Sequence, residues 1–297
     1  MERHRKRLQL ANVVITGASS GIGRATARAF AAAGAHLTLA ARRGPALEEL
    51  ARVCETHGVR ALALPTDVTD ARAVQELARR AAEHGEGRID IWINNAGVGA
   101  VGEFDAIPIE THDRVIQTNL LGYFHGAHAA LPYFKRQKYG ILINTISLGA
   151  WAPAPYAVAY SASKFGLRGY AEALRAELRA WPEIHVCDVY PAFIDTPGFQ
   201  HGANYIGREI KPAQPVYDAQ KVAQAMVSLA TRPRISTTVG ATAQIARLVH
   251  AVFGEYANRV MAIMMRHRFE QAAEVPVGDG SLFKSKSMDA QVSGGWR

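Results

Sequence analysis

The stretch Asn12-Val13-Val14-Ile15-Thr16-Gly17-Ala18-Ser19-Ser20-Gly21-Ile22-Gly23-Arg24 decides the fold. Its short β-branched run reads as a buried strand. Glycines follow at once, and Ala25 to Ala33, rich in alanine and carrying Phe30, reads as a helix. Strand, glycine loop and helix together form an anion cradle. Without side chains the backbone can approach a pyrophosphate, and the helix N-terminus offers it free N–H groups. The spacing is Gly-x-x-x-Gly-x-Gly rather than Gly-x-Gly-x-x-Gly. The second pattern does occur, at Gly97-Val98-Gly99-Ala100-Val101-Gly102, but Glu103 to Pro108 reads as loop, so no helix opens after it. A phosphate site is therefore not expected there.

Working outward, apolar and β-branched runs place strands at 12–16, 35–40, 59–64, 89–93, 140–146, 184–190 and 235–239. Helical patterns fall between them, at 21–33, 45–57, 70–84, 111–136, 156–180 and 218–231. Alternation of this kind over residues 9–240 indicates an α/β fold, a single doubly wound domain on one parallel sheet.

Ser147, Tyr160 and Lys164 carry the chemistry. Tyrosine has a free pKa of about 10 and is a poor acid or base at neutral pH. On a helix, a lysine four positions on lies one turn away on the same face, and its charge favours the phenolate. A serine hydroxyl can hydrogen-bond the substrate oxygen that gains or loses the proton. The set suits interconversion of an alcohol and a carbonyl, given a hydride carrier. A second Tyr-x-x-x-Lys, Tyr217 to Lys221, has Asn204 rather than serine thirteen positions upstream and reads as an ordinary helix start.

With these residues, the chain resembles the short-chain dehydrogenase/reductase family over roughly residues 8 to 240. Thr16 to Gly23, with Gly17, Ser19, Ser20, Gly21, Ile22 and Gly23 as its cofactor contacts, resembles its nucleotide loop, Asp67-Val68 its adenine-contacting pair, and Asn94-Asn95-Ala96-Gly97 the motif after the fourth strand. Asn119 matches the helix asparagine that supports the lysine through water, and Ser147, Tyr160 and Lys164 match the catalytic set. Tyr160 and Lys164 would also meet the nicotinamide ribose. Pro191, Ile194 and Thr196 fall in the segment that contacts nicotinamide, with one departure, Pro191-Ala192 for the usual Pro-Gly. The resemblance implies a seven-stranded sheet of order 3-2-1-4-5-6-7, a nicotinamide cofactor, a small carbonyl or alcohol substrate and a homodimer or homotetramer. At the end of the second strand, Ala41-Arg42-Arg43 supplies no acid for a ribose 2′-OH, whereas arginine suits a 2′-phosphate. The expected cofactor is NADP(H).

The net charge is +8. The basic start, residues 1–8, reads as a flexible terminus, and no stacking aromatics accompany it to suggest nucleic acid. No signal peptide is evident, and two cysteines make no disulfide framework; both fit a reducing, cytoplasmic setting. His125 and His128 lack a ligand cluster, so no metal is expected. Residues 197–217 read as a mobile loop or short helix over the pocket, and Trp151, Pro153, Pro155 and Tyr156 as either pocket wall or packing surface. Past 240, residues 241–272 form an extra amphipathic helix, packed on the domain or a partner copy, with peripheral membrane contact as the alternative. Residues 273–297 are polar and read as disordered. Alternatives for function are a membrane-peripheral lipid or steroid reductase and a non-catalytic NADP(H)-sensing regulator.

Overall fold

The computed structural model describes residues 8–285 and 290–297; the basic start up to Arg7 lies outside these residues. Seven strands form the sheet: β1 (Asn12–Thr16), β2 (His36–Ala41), β3 (Ala61–Pro65), β4 (Ile91–Asn94), β5 (Gly140–Thr145), β6 (Ile184–Pro191) and β7 (Ser236–Val239). All pair in parallel in the order β3-β2-β1-β4-β5-β6-β7. The helices are α1 (Gly21–Ala32), α2 (Gly44–Glu55), α3 (Ala71–His84), α4 (Ile109–Ile116), α5 (Gly122–Gln137), α6 (Val158–Glu177), α7 (Ala219–Thr231) and α8 (Ala241–Gln271).

Successive strand side chains point to opposite faces, and here both faces are covered. Val13, Ile15, Leu37, Leu39, Ile91 and Ile93 join Phe30, Leu47, Leu50 and Met226 in one cluster. The alternate residues Val14, Ala40 and Trp92 join Val74, Leu77 and Phe134 in the other. That double burial is why the strands read as continuous apolar runs. At the carboxyl ends, Trp92 Nε1 donates to Asn94 Oδ1 (2.8 Å), Asn94 Nδ2 to Asn144 Oδ1 (3.2 Å) and Asn144 Nδ2 to Asp188 Oδ1 (3.2 Å). These bonds link β4, β5 and β6. Arg175 of α6 closes the series on Asp188 Oδ2 at 2.8 Å.

Two boundaries differ from expectation. The helix expected over 111–136 is interrupted by a π-helical turn, Gln117–Leu121, which contains Asn119. The helix expected from 156 begins at Val158, because Tyr156 sits in the left-handed region at φ 63°.

The larger correction concerns residues 273–297, expected to be disordered. Their described residues pack on the domain: Leu282 is buried and Val292 abuts the main core cluster. The chain past α8 also bridges the segment 197–217, Arg208 to Glu274 and Asn204 to Gly278. That segment holds a single helical turn, Gly198–His201. α8 spans the expected residues but turns sharply at Gly254 and buries only Ala243 fully. Ile245, Leu248, Val252, Phe253, Tyr256 and Ile263 of its apolar face are exposed. No helix among the described residues is long and apolar enough to cross a membrane.

Burial pushes the Asp188 carboxyl above its ordinary range, and Arg175, Asn144 and Tyr190 pull it back only in part. Arg175→Met should leave this carboxylate buried without its cation and cost about 3 kcal/mol near neutral pH. Urea unfolding of the two proteins checks this. The difference should shrink as pH falls and Asp188 takes up a proton.

Candidate active site

The site lies along the carboxyl edge of the sheet. Between β1 and α1 the chain packs closely on itself and on the loop after β4. Gly17 has φ 65°, and a Cβ there would stand 2.7 Å from Ala96 Cα. A Cβ on Gly23 would meet the Gly17 carbonyl oxygen at 2.2 Å. Gly21, at φ 54°, abuts the Thr196 side chain. These positions admit glycine because backbone or a neighbouring residue fills the space of a side chain. Ser20 precedes α1 without capping it through its side chain, and Ile22 lies in the first turn.

The loop after β4 is tied to this cradle. Thr16 Oγ1 accepts from the amides of Asn95 (3.0 Å) and Ala96 (3.2 Å), and Asn95 Nδ2 donates to the carbonyls of Thr16 and Gly17. Gly97 follows; a Cβ on it would lie 3.6 Å from Asn119 Oδ1 and 4.0 Å from Lys164 Nζ. Asn119 is fully buried and spent on protein partners. It accepts from Val98 N and donates to Val98 O, both at 2.8 Å, and to Ser163 Oγ at 3.2 Å. Its side chain therefore fixes the β4 loop.

Ser147 ends the β5 segment, its Oγ accepting from Gly149 N at 3.0 Å. Tyr160 and Lys164 stand one turn apart on α6, with Nζ 5.6 Å from the Tyr160 ring centre and donating to Thr145 O at 3.3 Å. Burial pushes the Tyr160 hydroxyl upward, and hydrogen bonding with Ser147 lowers it. Burial also pushes the Lys164 ammonium down, to about 7. The expected assistance from Lys164 to the phenolate is thus opposed by the dryness of the site. The second Tyr-x-x-x-Lys is a helix start, with Asp218 Oδ1 capping Gln220 N at 2.8 Å. Gly97-x-Gly-x-x-Gly contains a short strand, Ala100–Val101, paired with Ala203–Asn204.

On the β2 and β3 side, Asp67 is held by Thr69 and by Arg114 at 2.5 Å. Burial would raise its carboxyl, but these partners hold it below the usual range. Val68 is buried beside Gly122, where a Cβ would come within 2.9 Å of it. Arg43 Nη2 donates to Ser19 Oγ at 3.3 Å. Arg42 is turned onto the chain's own C-terminal segment, donating to the carbonyls of Ser281, Leu282 and Phe283. Past β6, Pro191 pairs with Val239, Ile194 is buried, and Thr196 lies against Gly21. Ala192 needs no left-handed backbone. Its methyl is accommodated by Gly240, at φ 101°, where a Cβ would come within 2.8 Å of Ala192 Cβ.

The aromatic residues between Ser147 and Tyr160 anchor α8. Trp151 is sandwiched between the guanidinium groups of Arg168 and Arg247, each 4.1 Å from its ring. Tyr156 meets Phe269 edge-on at 5.4 Å. Sequence reading placed Thr16 in the glycine loop but missed Ser163, Gly240 and the packing of the C-terminal segment, none of which carries a local signal.

A family model described as short chain dehydrogenase matches residues 11–204. An uncharacterized oxidoreductase of Bacillus subtilis, YxnA, is 34% identical over 276 residues, covering 91% of this chain and 76% of its own. The 3-ketodihydrosphingosine reductase of Bos taurus is 30% identical over 237 residues, covering 77% and 71%. Among solved structures, an alcohol dehydrogenase from Thermococcus sibiricus complexed with 5-hydroxy-NADP has a TM-score of 0.67 at 28% identity, covering 76% of this chain and 94% of its own. A metagenomic short-chain oxidoreductase in complex with NADP has a TM-score of 0.68 at 28% identity, covering 78% and 98%. Match, fold and glycine cradle agree, and the chain belongs to the short-chain dehydrogenase family.

Proposed function

We propose that the protein is an NADP(H)-dependent oxidoreductase that interconverts a secondary alcohol and a carbonyl. The observation that carries this reading is the convergence of Ser147, Tyr160 and Lys164 beside the glycine cradle. The cradle fits a dinucleotide, because Gly17 and Gly23 leave no room for side chains and the α1 N-terminus presents its amides. In this reading Gly17, Ser19, Ser20, Gly21, Ile22 and Gly23 hold the pyrophosphate. Arg42 and Arg43 hold the 2′-phosphate, Asp67 and Val68 border the adenine, and Asn95, Ala96 and Gly97 form the floor. Pro191, Ile194 and Thr196 flank the nicotinamide. The phosphorylated form is supported by the arginines after β2 and by the NADP-type ligands of the two structural neighbours.

The nicotinamide, when bound, supplies or accepts hydride. Tyr160 gives its proton to the carbonyl oxygen in reduction and takes it back in oxidation, while Ser147 orients that oxygen and favours the phenolate. Lys164 holds the ribose and, when charged, stabilises the phenolate. Asn119 acts as a positioning residue, through Val98 and Ser163. NADPH should bind more tightly than NADH in a fluorescence titration. Tyr160→Phe should retain that binding yet lose at least about 100-fold in turnover with ketone or alcohol substrates. Undiminished turnover would sink the mechanism.

The Lys164 shift has a thermodynamic consequence. Its ordinary value is 10.5, and burial lowers it to about 7 in the folded, nucleotide-free chain. Between those two pH values the unfolded chain binds more protons, so the Lys164 contribution makes the fold more stable as pH rises through that window. Comparing urea midpoints at pH 7 and pH 9 should show this slope in the parent and lose it in Lys164→Met.

A second reading, a membrane-peripheral lipid reductase with the same chemistry, is favoured by the exposed apolar face of α8 and by the bovine relative's name. The full chain should then cosediment with liposomes, and the double substitution Leu248→Glu with Phe253→Glu should abolish it. Equal recovery of both proteins in the supernatant would dismiss this reading.

A further inference from the structure

Two of the groups assigned to the cofactor are engaged by the chain's own C-terminal segment. Gly21 N–H, at the start of α1, donates to the Gln291 carbonyl at 2.9 Å. That oxygen stands where a helix N-terminus would otherwise meet an anion. Arg42 donates to Ser281 O (2.6 Å), Leu282 O (2.7 Å) and Phe283 O (3.2 Å). These three carbonyls occupy the guanidinium face expected to take the 2′-phosphate.

The segment is seated at both ends. Before Ser281, Gly280 adopts φ 57° so close to the loop that a Cβ would meet the carbonyl oxygens of His201 and Gly202 at 2.4 Å. Beyond Gln291, Asp195 gathers Ser293 Oγ (2.6 Å), Gly294 N (2.9 Å), Trp296 N (3.0 Å) and Arg297 Nε (3.3 Å). Trp296 Nε1 donates to Thr196 O at 3.1 Å. Gly294 lies against the same carbonyl, so closely that a Cβ would be 2.4 Å from it. The segment thus runs from Arg42 to Gly21 and on to Thr196, along the line assigned to the 2′-phosphate, pyrophosphate and nicotinamide.

We propose that residues 281–285 and 290–297 form an autoinhibitory strap that competes with NADP(H) for the dinucleotide cleft. The proposal rests on the cofactor reading given above. Carbonyl oxygens and phosphate oxygens are both acceptors, so Arg42 and Gly21 cannot give the same hydrogens to both. Phosphate is the stronger partner, because it brings a negative charge to the Arg42 guanidinium and to the α1 N-terminus, where the strap offers only neutral carbonyls. Cofactor therefore displaces the strap, and its apparent affinity falls in proportion to the fraction of chains in which the cleft is open.

Hydrogen–deuterium exchange on the full chain, with and without saturating NADPH, tests this directly. Exchange should rise in 281–285 and 290–297 when NADPH binds. Unchanged or reduced exchange there, with NADPH bound, overturns the strap and leaves the cofactor reading intact; lack of NADPH binding by any variant overturns both. Trp296→Ala removes one anchor, the hydrogen bond to the Thr196 carbonyl, without substituting any residue assigned to the cofactor. It should tighten NADPH binding about fivefold, the worth of one hydrogen bond. Equal or weaker binding by a folded Trp296→Ala protein also overturns the proposal, and the exchange experiment decides the matter if that variant does not fold.

Discussion

The close approach of Gly17 to Ala96 governs the rest of the site. No side chain fits between them, so the β1 and β4 loops lock together through Thr16 Oγ1 and Asn95. Gly97 then falls beside Asn119 and Lys164. Asn119, clamped on Val98 and Ser163, carries the register on to α6. The glycine cradle and the Tyr160 helix are thus coupled through a short series of buried contacts. A change at Gly17 would be felt at Lys164 although the two never touch.

The electrostatics of that helix run against its expected chemistry. The dryness that makes a hydrogen bond or charge effective also penalises the Lys164 ammonium and the Tyr160 phenolate. Ser147 offsets part of the tyrosine penalty. The lysine donates to one carbonyl, that of Thr145, at the long distance of 3.3 Å. A ribose hydroxyl would add an acceptor and favour the charged form. On this reasoning the proposed acid–base pair reaches its working state with nucleotide in place, which would tie proton transfer to the presence of the hydride carrier.

Much of this was legible in the sequence. Every strand of the main sheet falls within two residues of its expected start, because strands buried on both faces leave uninterrupted apolar runs. The cradle and the grouping of Ser147, Tyr160 and Lys164 were legible because each is local, a few residues at fixed spacing. Features that depend on two distant segments were not. Nothing near Ala192 announces that Gly240 makes room for its methyl, and periodicity cannot distinguish a π-helical turn at Asn119 from continuous helix. Trp151 and Tyr156 were recognised as bulky, but their partners Arg247 and Phe269 come from a helix about a hundred residues away.

The C-terminal segment fails composition-based reading for a deeper reason. A polar stretch with few large apolar residues cannot offset its ordering entropy by burial, so disorder is the correct expectation for it alone. What orders it here lies elsewhere in the chain. Arg42 and Asp195 are charged groups at a half-buried cleft, and hydrogen bonds to charged groups are worth about 1.5–3 kcal/mol each. The segment supplies them mostly through its backbone, with carbonyls for the guanidinium and amides for the carboxylate. Backbone groups are common to every residue and leave no mark in composition. Any cleft built to hold a phosphorylated ligand carries such unsatisfied donors when empty of it. A tethered tail, at high effective concentration, is a ready partner for them, so the charge that suits the cofactor also gives the tail its place.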